Sequence, residues 1–384
     1  MSIYIIGVGM GGKNELTLEA WEKINEADIV IGAKRITEPF SNGKKVFYEY
    51  DADKIIEILA NESYNNAAIL FSGDVSFFSG AKKLQKTLEN VTILPGISSM
   101  SYFCGKIGMS YDNMNVVSMH GRDCNIVSEV RGHKKTFMLF GENPCKKLCE
   151  YGLGDVTVYI GENLSYENER ILIGSAEELR DIKTEPLSVA VIINENYDSR
   201  TRIGICDSEF ITGNVPMTKR EVRAVSMSLL EIRDDDICID IGAGTGSVTV
   251  EMALAAVKGK VYAVEKNIEA VTLIKENTVK FHTDNVEVIC GEATEVIPNL
   301  PKADKLFIGG SSGNLEKIIE MCDCKKVVIN AITIETFSEA VTALKKFGYD
   351  FTVTQVSVAR GKKVGSYNMM TAQNPIFILC GDKE

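Results

Sequence analysis

The densest group of residues suited to holding a cofactor is Asp240-Ile241-Gly242-Ala243-Gly244-Thr245-Gly246. A β-branched apolar run precedes it and a helical pattern begins at Ser247, so the glycines fall on a strand-to-helix turn. Glycine permits positive φ and close backbone approach, and the first turn of a helix offers free N–H donors. The spacing G-x-G-x-G departs from the G-x-G-x-x-G of dinucleotide sites, which leaves a nicotinamide cofactor as the weaker alternative. Glu265 ends the next strand, nineteen residues past Gly246. A carboxylate there is placed to accept protons from both ribose hydroxyls. Gly291, Glu292 and Ala293 end the following strand, where they would flank a purine ring. Three successive strand ends of this kind lie along one edge of a sheet, the edge where open α/β folds bind ligands.

Two further groups in this half suit a substrate. Thr218 and Glu221 have the spacing of a capping box, which predicts a helix over 218–232 with Val222, Val225, Leu229 and Ile232 on one apolar face. Lys219, Arg220 and Arg223 sit in or beside its first turn, where each cation opposes the helix dipole by ~0.3–1 kcal/mol. A bound anion removes that conflict; a solvated basic face is the competing reading. Gly309 and Gly310 follow the strand ending at Ile308 and face the same edge. In the first half, glycine-rich strand ends recur. Gly7 and Gly9 follow the first strand, Gly73, Asp74 and Val75 the third, Ser98 and Ser99 the fourth, and His120 and Arg122 the fifth. All would line one cleft.

Composition restricts the partners. Forty-five per cent apolar and 25% charged residues fit an ordinary globular chain. A net charge of −11 disfavours nucleic acid, which requires a basic face. No apolar run is long enough to span a membrane, and the N-terminus reads as a strand and not as an export signal. The ten cysteines are scattered, several inside apolar strands such as those holding Cys238, Cys290 and Cys380, where they read as small core residues. Neither their spacing nor the three histidines builds a metal site. Reduced thiols point to the cytoplasm.

The elements that position these loops alternate as strand and helix throughout, the pattern of an α/β protein with largely parallel sheets. Short connections around 156, 170–174 and 187 predict a more antiparallel second subdomain in the first half. The polar stretch 194–215 breaks the rhythm, and a linker is expected at 206–214 between domains 1–205 and 215–384. Two final strands, 351–359 and 376–380, have no helix between them and predict a closing antiparallel hairpin.

Residues 215–384 resemble the class I S-adenosylmethionine-dependent methyltransferases, which implies a Rossmann-like seven-stranded fold. The first half resembles the tetrapyrrole methylase family, whose fold has two α/β subdomains. Pro95-Gly96-Ile97-Ser98-Ser99 and Ser118-Met119-His120-Gly121-Arg122 resemble its precorrin C5-methyltransferase branch most. Met10 and Val75 stand where that family often has proline. Val215–Arg223 and Ile308-Gly309-Gly310-Ser311 resemble the partner C15-methyltransferases that also decarboxylate. The resemblance implies S-adenosyl-L-methionine bound once per half, a carboxylate-rich tetrapyrrole substrate, a place in cobalamin synthesis, and self-association. It makes His120, Arg122, Thr218, Lys219, Arg220, Arg223, Gly309 and Gly310 the substrate-facing set, and the other strand-end residues the cofactor set.

Overall fold

A computed structural model of the 384-residue chain describes residues 1–119, 124–198 and 203–383. The chain divides into two compact units. The first comprises Met1–Asp123, Lys134–Pro144 and Val156–Asn194; the second comprises Cys124–His133, Cys145–Asp155 and Glu195–Glu384.

The first unit holds two five-stranded sheets. Strands β1 (Ser2–Gly7), β2 (Ile29–Gly32), β3 (Lys45–Tyr48), β4 (Asn66–Phe71) and β5 (Val91–Leu94) form an all-parallel sheet in the order β3-β2-β4-β1-β5. Ile5, Ile31 and Ile69 pack on one face, and Ile6, Val30 and Leu70 on the other. That two-sided burial is why these strands are almost continuously apolar. Side chains cap the helices between them: Thr17 accepts from Ala20 N ahead of Leu18–Glu26, and Asp51 accepts from Asp53 N and Lys54 N ahead of Ala52–Asn61. Strands β6 (Asn115–Ser118), β7 (Lys135–Phe140), β8 (Thr157–Glu162), β9 (Arg170–Ser175) and β10 (Ser188–Ile193) form the second sheet, in the order β6-β7-β10-β8-β9. Only the β6–β7 pair is parallel, so the antiparallel subdomain expected from the short connections is present.

The second unit is built on one seven-stranded sheet. Its strands are β11 (Ile237–Ile241), β12 (Lys260–Glu265), β13 (Val286–Cys290), β14 (Lys305–Ile308), β15 (Lys326–Ala331), β16 (Asp350–Val356) and, past a separate two-stranded ribbon of β17 (Ala359–Val364) and β18 (Tyr367–Ala372), β19 (Ile376–Asp382). The order is β13-β12-β11-β14-β15-β19-β16, parallel except for β19, which runs against both β15 and β16. Along β15, Val327 and Ile329 enter one core and Val328 the other, as the two-residue side-chain period requires.

Several expectations need correction. The segment 206–214 is no free linker. Ile205 and Phe210 are buried against Val250 and Phe281, and Ile211 N donates to Asn277 Oδ1 at 2.8 Å. The capping box does not form. The helix spans Arg220–Leu230, its N-cap Lys219 makes no side-chain cap, and Asp207 Oδ1 accepts Arg220 N at 2.9 Å instead. Glu221 is turned to Arg360, which donates to it from Nε at 3.1 Å and from Nη2. Cys290 is exposed because β13 is an edge strand, whereas Cys238 and Cys380 are buried as expected. The closing strands do pair antiparallel, but their connection holds the β17–β18 ribbon, which carries no core pattern and so left no apolar signal.

Candidate active sites

In the second unit, the turn after β11 and the ends of β12, β13 and β14 converge on one cavity of about 350 Å³. Gly242, Gly244, Glu265, Gly291, Glu292, Ala293, Gly309 and Gly310 line it, and Thr218 and Lys219 face it from the segment ahead of the Arg220–Leu230 helix. At Gly242, φ is +69°, and a Cβ there would meet the Gly310 carbonyl oxygen at 2.6 Å, so only glycine closes this turn. Gly246 caps the Ser247–Ala255 helix from the left-handed region. Glu265 Oε2 accepts Gly244 N at 2.9 Å, and its Oε1 accepts Lys266 N and Asn267 N at 2.8 and 2.9 Å. The carboxylate thus fixes the glycine turn as well as lining the cavity. The register pairs Glu265 with Cys290, which brings Glu292 alongside, and Lys266 Nζ donates to Glu292 Oε2 at 3.2 Å.

Five residues expected at this site lie away from the cavity wall, Gly246 at the helix cap among them. Asp240 is fully buried behind the turn. Thr249 Oγ1 donates to its Oδ2 at 2.5 Å, and its Oδ1 has no hydrogen-bond partner among the described residues. Burial pushes its carboxyl up to about 7; the Thr249 hydrogen bond opposes that rise and the Glu265 charge adds to it. Thr245 is buried too, with its Oγ1 unpartnered. Arg223 is not a substrate clamp. Its side chain is 0% exposed, its Nε donates to Glu251 Oε1 at 2.5 Å, its Nη1 to Thr218 O at 2.6 Å, and its Nη2 to Ile205 O. Its guanidinium also covers the Phe210 ring. Arg220 is exposed, beside Cys206 Sγ at 3.4 Å. Arg223 needs no bound anion at the helix start, because a buried carboxylate twenty-eight residues along, Glu251, neutralises it. Asn330 was missed. It lines the cavity from the end of β15, is buried, and leaves Nδ2 without a partner among the described residues while Oδ1 accepts Ser226 Oγ at 3.0 Å. A single polar residue at a strand end gives no sequence signal.

In the first unit, a cavity of about 390 Å³ is lined by Met10, Ser72, Gly73 and Ser99 from the expected loops, and by Phe77, Phe78, Arg35 and Tyr166, which carried no site signal in the sequence. Gly9 and Gly73 pair through their backbones, with Gly9 N to Gly73 O at 3.2 Å and Gly73 N to Gly9 O at 2.5 Å, and Gly7 ends β1 beside them. Asp74 braces these loops: its Oδ1 accepts Ser76 N at 2.7 Å and its Oδ2 accepts Gly96 N at 3.0 Å. Val75 points into the core, and Ser98 caps the Ser99–Lys106 helix. His120 and Arg122 lie outside the described residues.

The turns and the acidic strand end suit S-adenosylmethionine. Gly242 and Gly244 keep side chains off the turn where it lines the cavity, and the Glu265 carboxylate stands beside it. Fold and site together define a class I S-adenosylmethionine-dependent methyltransferase in the second unit. Comparison with known proteins narrows this. Residues 209–383 match the precorrin methyltransferase domain model, and residues 2–180 match the tetrapyrrole (corrin/porphyrin) methylases. A probable cobalt-precorrin-6B C(15)-methyltransferase (decarboxylating) of Pyrobaculum calidifontis is 45% identical over 171 residues, 43% of this chain and 88% of that protein. The protein of the same description from Sulfurisphaera tokodaii is 43% identical over 188 residues, 47% of this chain and 97% of that protein. The crystal structure of a precorrin-6Y C5,15-methyltransferase from Geobacter metallireducens shares 40% identity over 47% of this chain and 97% of that one, with a TM-score of 0.45. The chain belongs to the precorrin methyltransferase family, with a tetrapyrrole methylase domain ahead of its decarboxylating C-methyltransferase domain.

Proposed function

We propose that the chain methylates a precorrin or cobalt-precorrin at C5 in its first domain, and at C15 with loss of the ring-C acetate carboxyl in its second, in cobalamin synthesis. The observation that carries this reading is the convergence of Gly242–Gly244, Glu265 and Gly291–Ala293 on one cavity whose other wall is Thr218, Lys219, Gly309 and Gly310. We place one S-adenosylmethionine in each half, within domains 1–205 and 215–384. When bound, it supplies an electrophilic methyl that an enamine-like ring carbon accepts without a strong base. The chain's own work is then alignment and water exclusion. Glu265 and the glycine turn hold the nucleoside. Lys219 attracts a substrate carboxylate. Asn330 Nδ2, a buried donor, orients a ring group. In the decarboxylation, the bond to the acetate carboxyl breaks, CO₂ leaves, and the electron pair neutralises the cationic ring; a dry cavity favours that charge loss.

We place the chain in the cytoplasm, in keeping with ten scattered cysteines of which several, such as Cys238 and Cys380, are buried in the core. No helix among the described residues is long and apolar enough to cross a membrane. Self-association is supported by the β17–β18 ribbon, whose Tyr367, Met369 and Met370 are all exposed.

Glu265→Ala tests the site. Loss of a charged acceptor typically costs ~1.5–3 kcal/mol, roughly 10–150-fold in affinity. At limiting cofactor, C15 methylation and decarboxylation should fall together while C5 methylation persists. An equal fall at C5 would refute two separate cofactor sites.

A further inference from the structure

Arg35 and Tyr166 meet on the wall of the first unit's cavity, where Arg35 Nη1 donates to the Tyr166 hydroxyl at 3.0 Å. Arg35 has no carboxylate within ion-pairing distance among the described residues, in a chain of net charge −11. Since the phenol oxygen accepts from the guanidinium, its own proton is left to donate outward. The pair therefore offers only donors: one O–H and the remaining guanidinium N–H groups.

The fold holds Tyr166 in place at some conformational cost. Asn163 and Ser165, just before it, have φ of +48° and +67°, in the left-handed region that side chains other than glycine seldom occupy. The turn is closed by Tyr166 N to Asn163 O at 3.0 Å and Glu169 N to Tyr166 O at 2.9 Å. Glu169 Oε2 accepts Ser165 N at 2.6 Å, and its carboxylate is held in turn by Tyr102 at 2.8 Å and Lys106 at 3.0 Å. Burial opposes ionisation of Glu169, but Ser165 N–H, Lys106 and Tyr102 outweigh it and keep the carboxyl below its usual range. Opposite, Gly11 leaves room for the phenol: a Cβ there would stand 3.1 Å from its oxygen. The cavity wall also carries Met10, Phe77, Leu164 and a 47%-exposed Phe78, itself at φ +48°, interspersed with Ser72, Ser79, Ser99 and Ser188. A flat apolar body edged with carboxylates suits such a wall.

We propose that Arg35 and Tyr166 form a carboxylate clamp that binds one acidic side chain of the tetrapyrrole in the first domain and sets its orientation there. The inference rests on the C5-methylation reading, and the test separates the two. Full-length wild type, Arg35→Gln and Tyr166→Phe are titrated with uroporphyrin, a tetrapyrrole octacarboxylate, and with its octamethyl ester, by porphyrin fluorescence; C5 and C15 turnover are measured on the same samples. The clamp predicts about ten-fold weaker uroporphyrin binding at one site in Arg35→Gln, the size of one charge-assisted contact. A smaller loss is expected in Tyr166→Phe. Ester binding, cofactor affinity and melting temperature should be unchanged, and the C5 KM should rise while the C15 KM holds. Uroporphyrin binding equal to wild type, or an equal loss for acid and ester, would overturn the clamp. Absence of C5 turnover in wild type would instead overturn the functional reading, with the uroporphyrin comparison still deciding the clamp.

Discussion

Asp240 sits behind the glycine turn with its side chain fully buried, one oxygen held by Thr249 and the other without a partner among the described residues. A carboxyl in that setting resists ionisation, because desolvation penalises the charged form. Its value of about 7 lies above the 3.8 of an unfolded aspartate, so the folded state binds the proton more tightly. The sign follows from linkage: this group's contribution to stability is fully present below the unfolded value and is lost as pH rises towards and past about 7. Asp240→Asn, an uncharged near-isostere, should flatten that decline. Urea midpoints of both proteins between pH 4 and 8 check it, and parallel pH profiles would contradict it. The residue was singled out in the sequence for its place in a glycine motif. Its burial was not legible there, since it depends on Thr249 and on the sheet registering Asp240 between Ala263 and Phe307.

At the level of elements, the segment 203–219 is fastened across the Ser247–Ala255 helix by a buried ion pair. Glu251 accepts Gly204 N and Ile205 N, both at 2.9 Å, and Arg223; Arg223 in turn holds Thr218 O. Arg223→Gln removes one partner and strands the Glu251 charge. A loss of about 3–5 kcal/mol is expected, as is typical when one side of a buried pair is removed. Because Thr218 stands in the substrate-facing wall of the cavity, substrate affinity in the second domain should weaken as well. Chemical denaturation and calorimetric titration measure both effects; unchanged stability would show that the pair bears no weight. The strands and most helices were legible because their apolar period matches their burial, as along β15. The ribbon Ala359–Ala372 and the edge strand β3 were not, because neither has a buried face. The helix start at Arg220 was misread by two residues, since its cap comes from Asp207, thirteen residues earlier in the chain.

For the whole molecule, the sequence legibly held two α/β halves in order, each with glycine-bearing strand ends. It did not show that chain segments inside the first half belong to the second unit. Asn125 Nδ2 donates to the Val257 and Gly259 carbonyls at 2.8 and 2.9 Å. Lys147 pairs with the buried Asp284 at 2.7 Å, and His282 Nδ1 meets Tyr151 O at 2.5 Å. These contacts join positions more than a hundred residues apart, beyond any local periodicity, and they make the intact chain the proper sample for assay. The central claim is that one chain performs both methylations and the decarboxylation. Mass spectrometry of the product formed by the full chain from a precorrin-6B-type substrate and methyl-labelled S-adenosylmethionine tests it most directly. The expected product has gained two labelled methyl groups and lost one CO₂; a product with a single added methyl, or with both methyls and every carboxyl retained, would rule out the bifunctional, decarboxylating reaction.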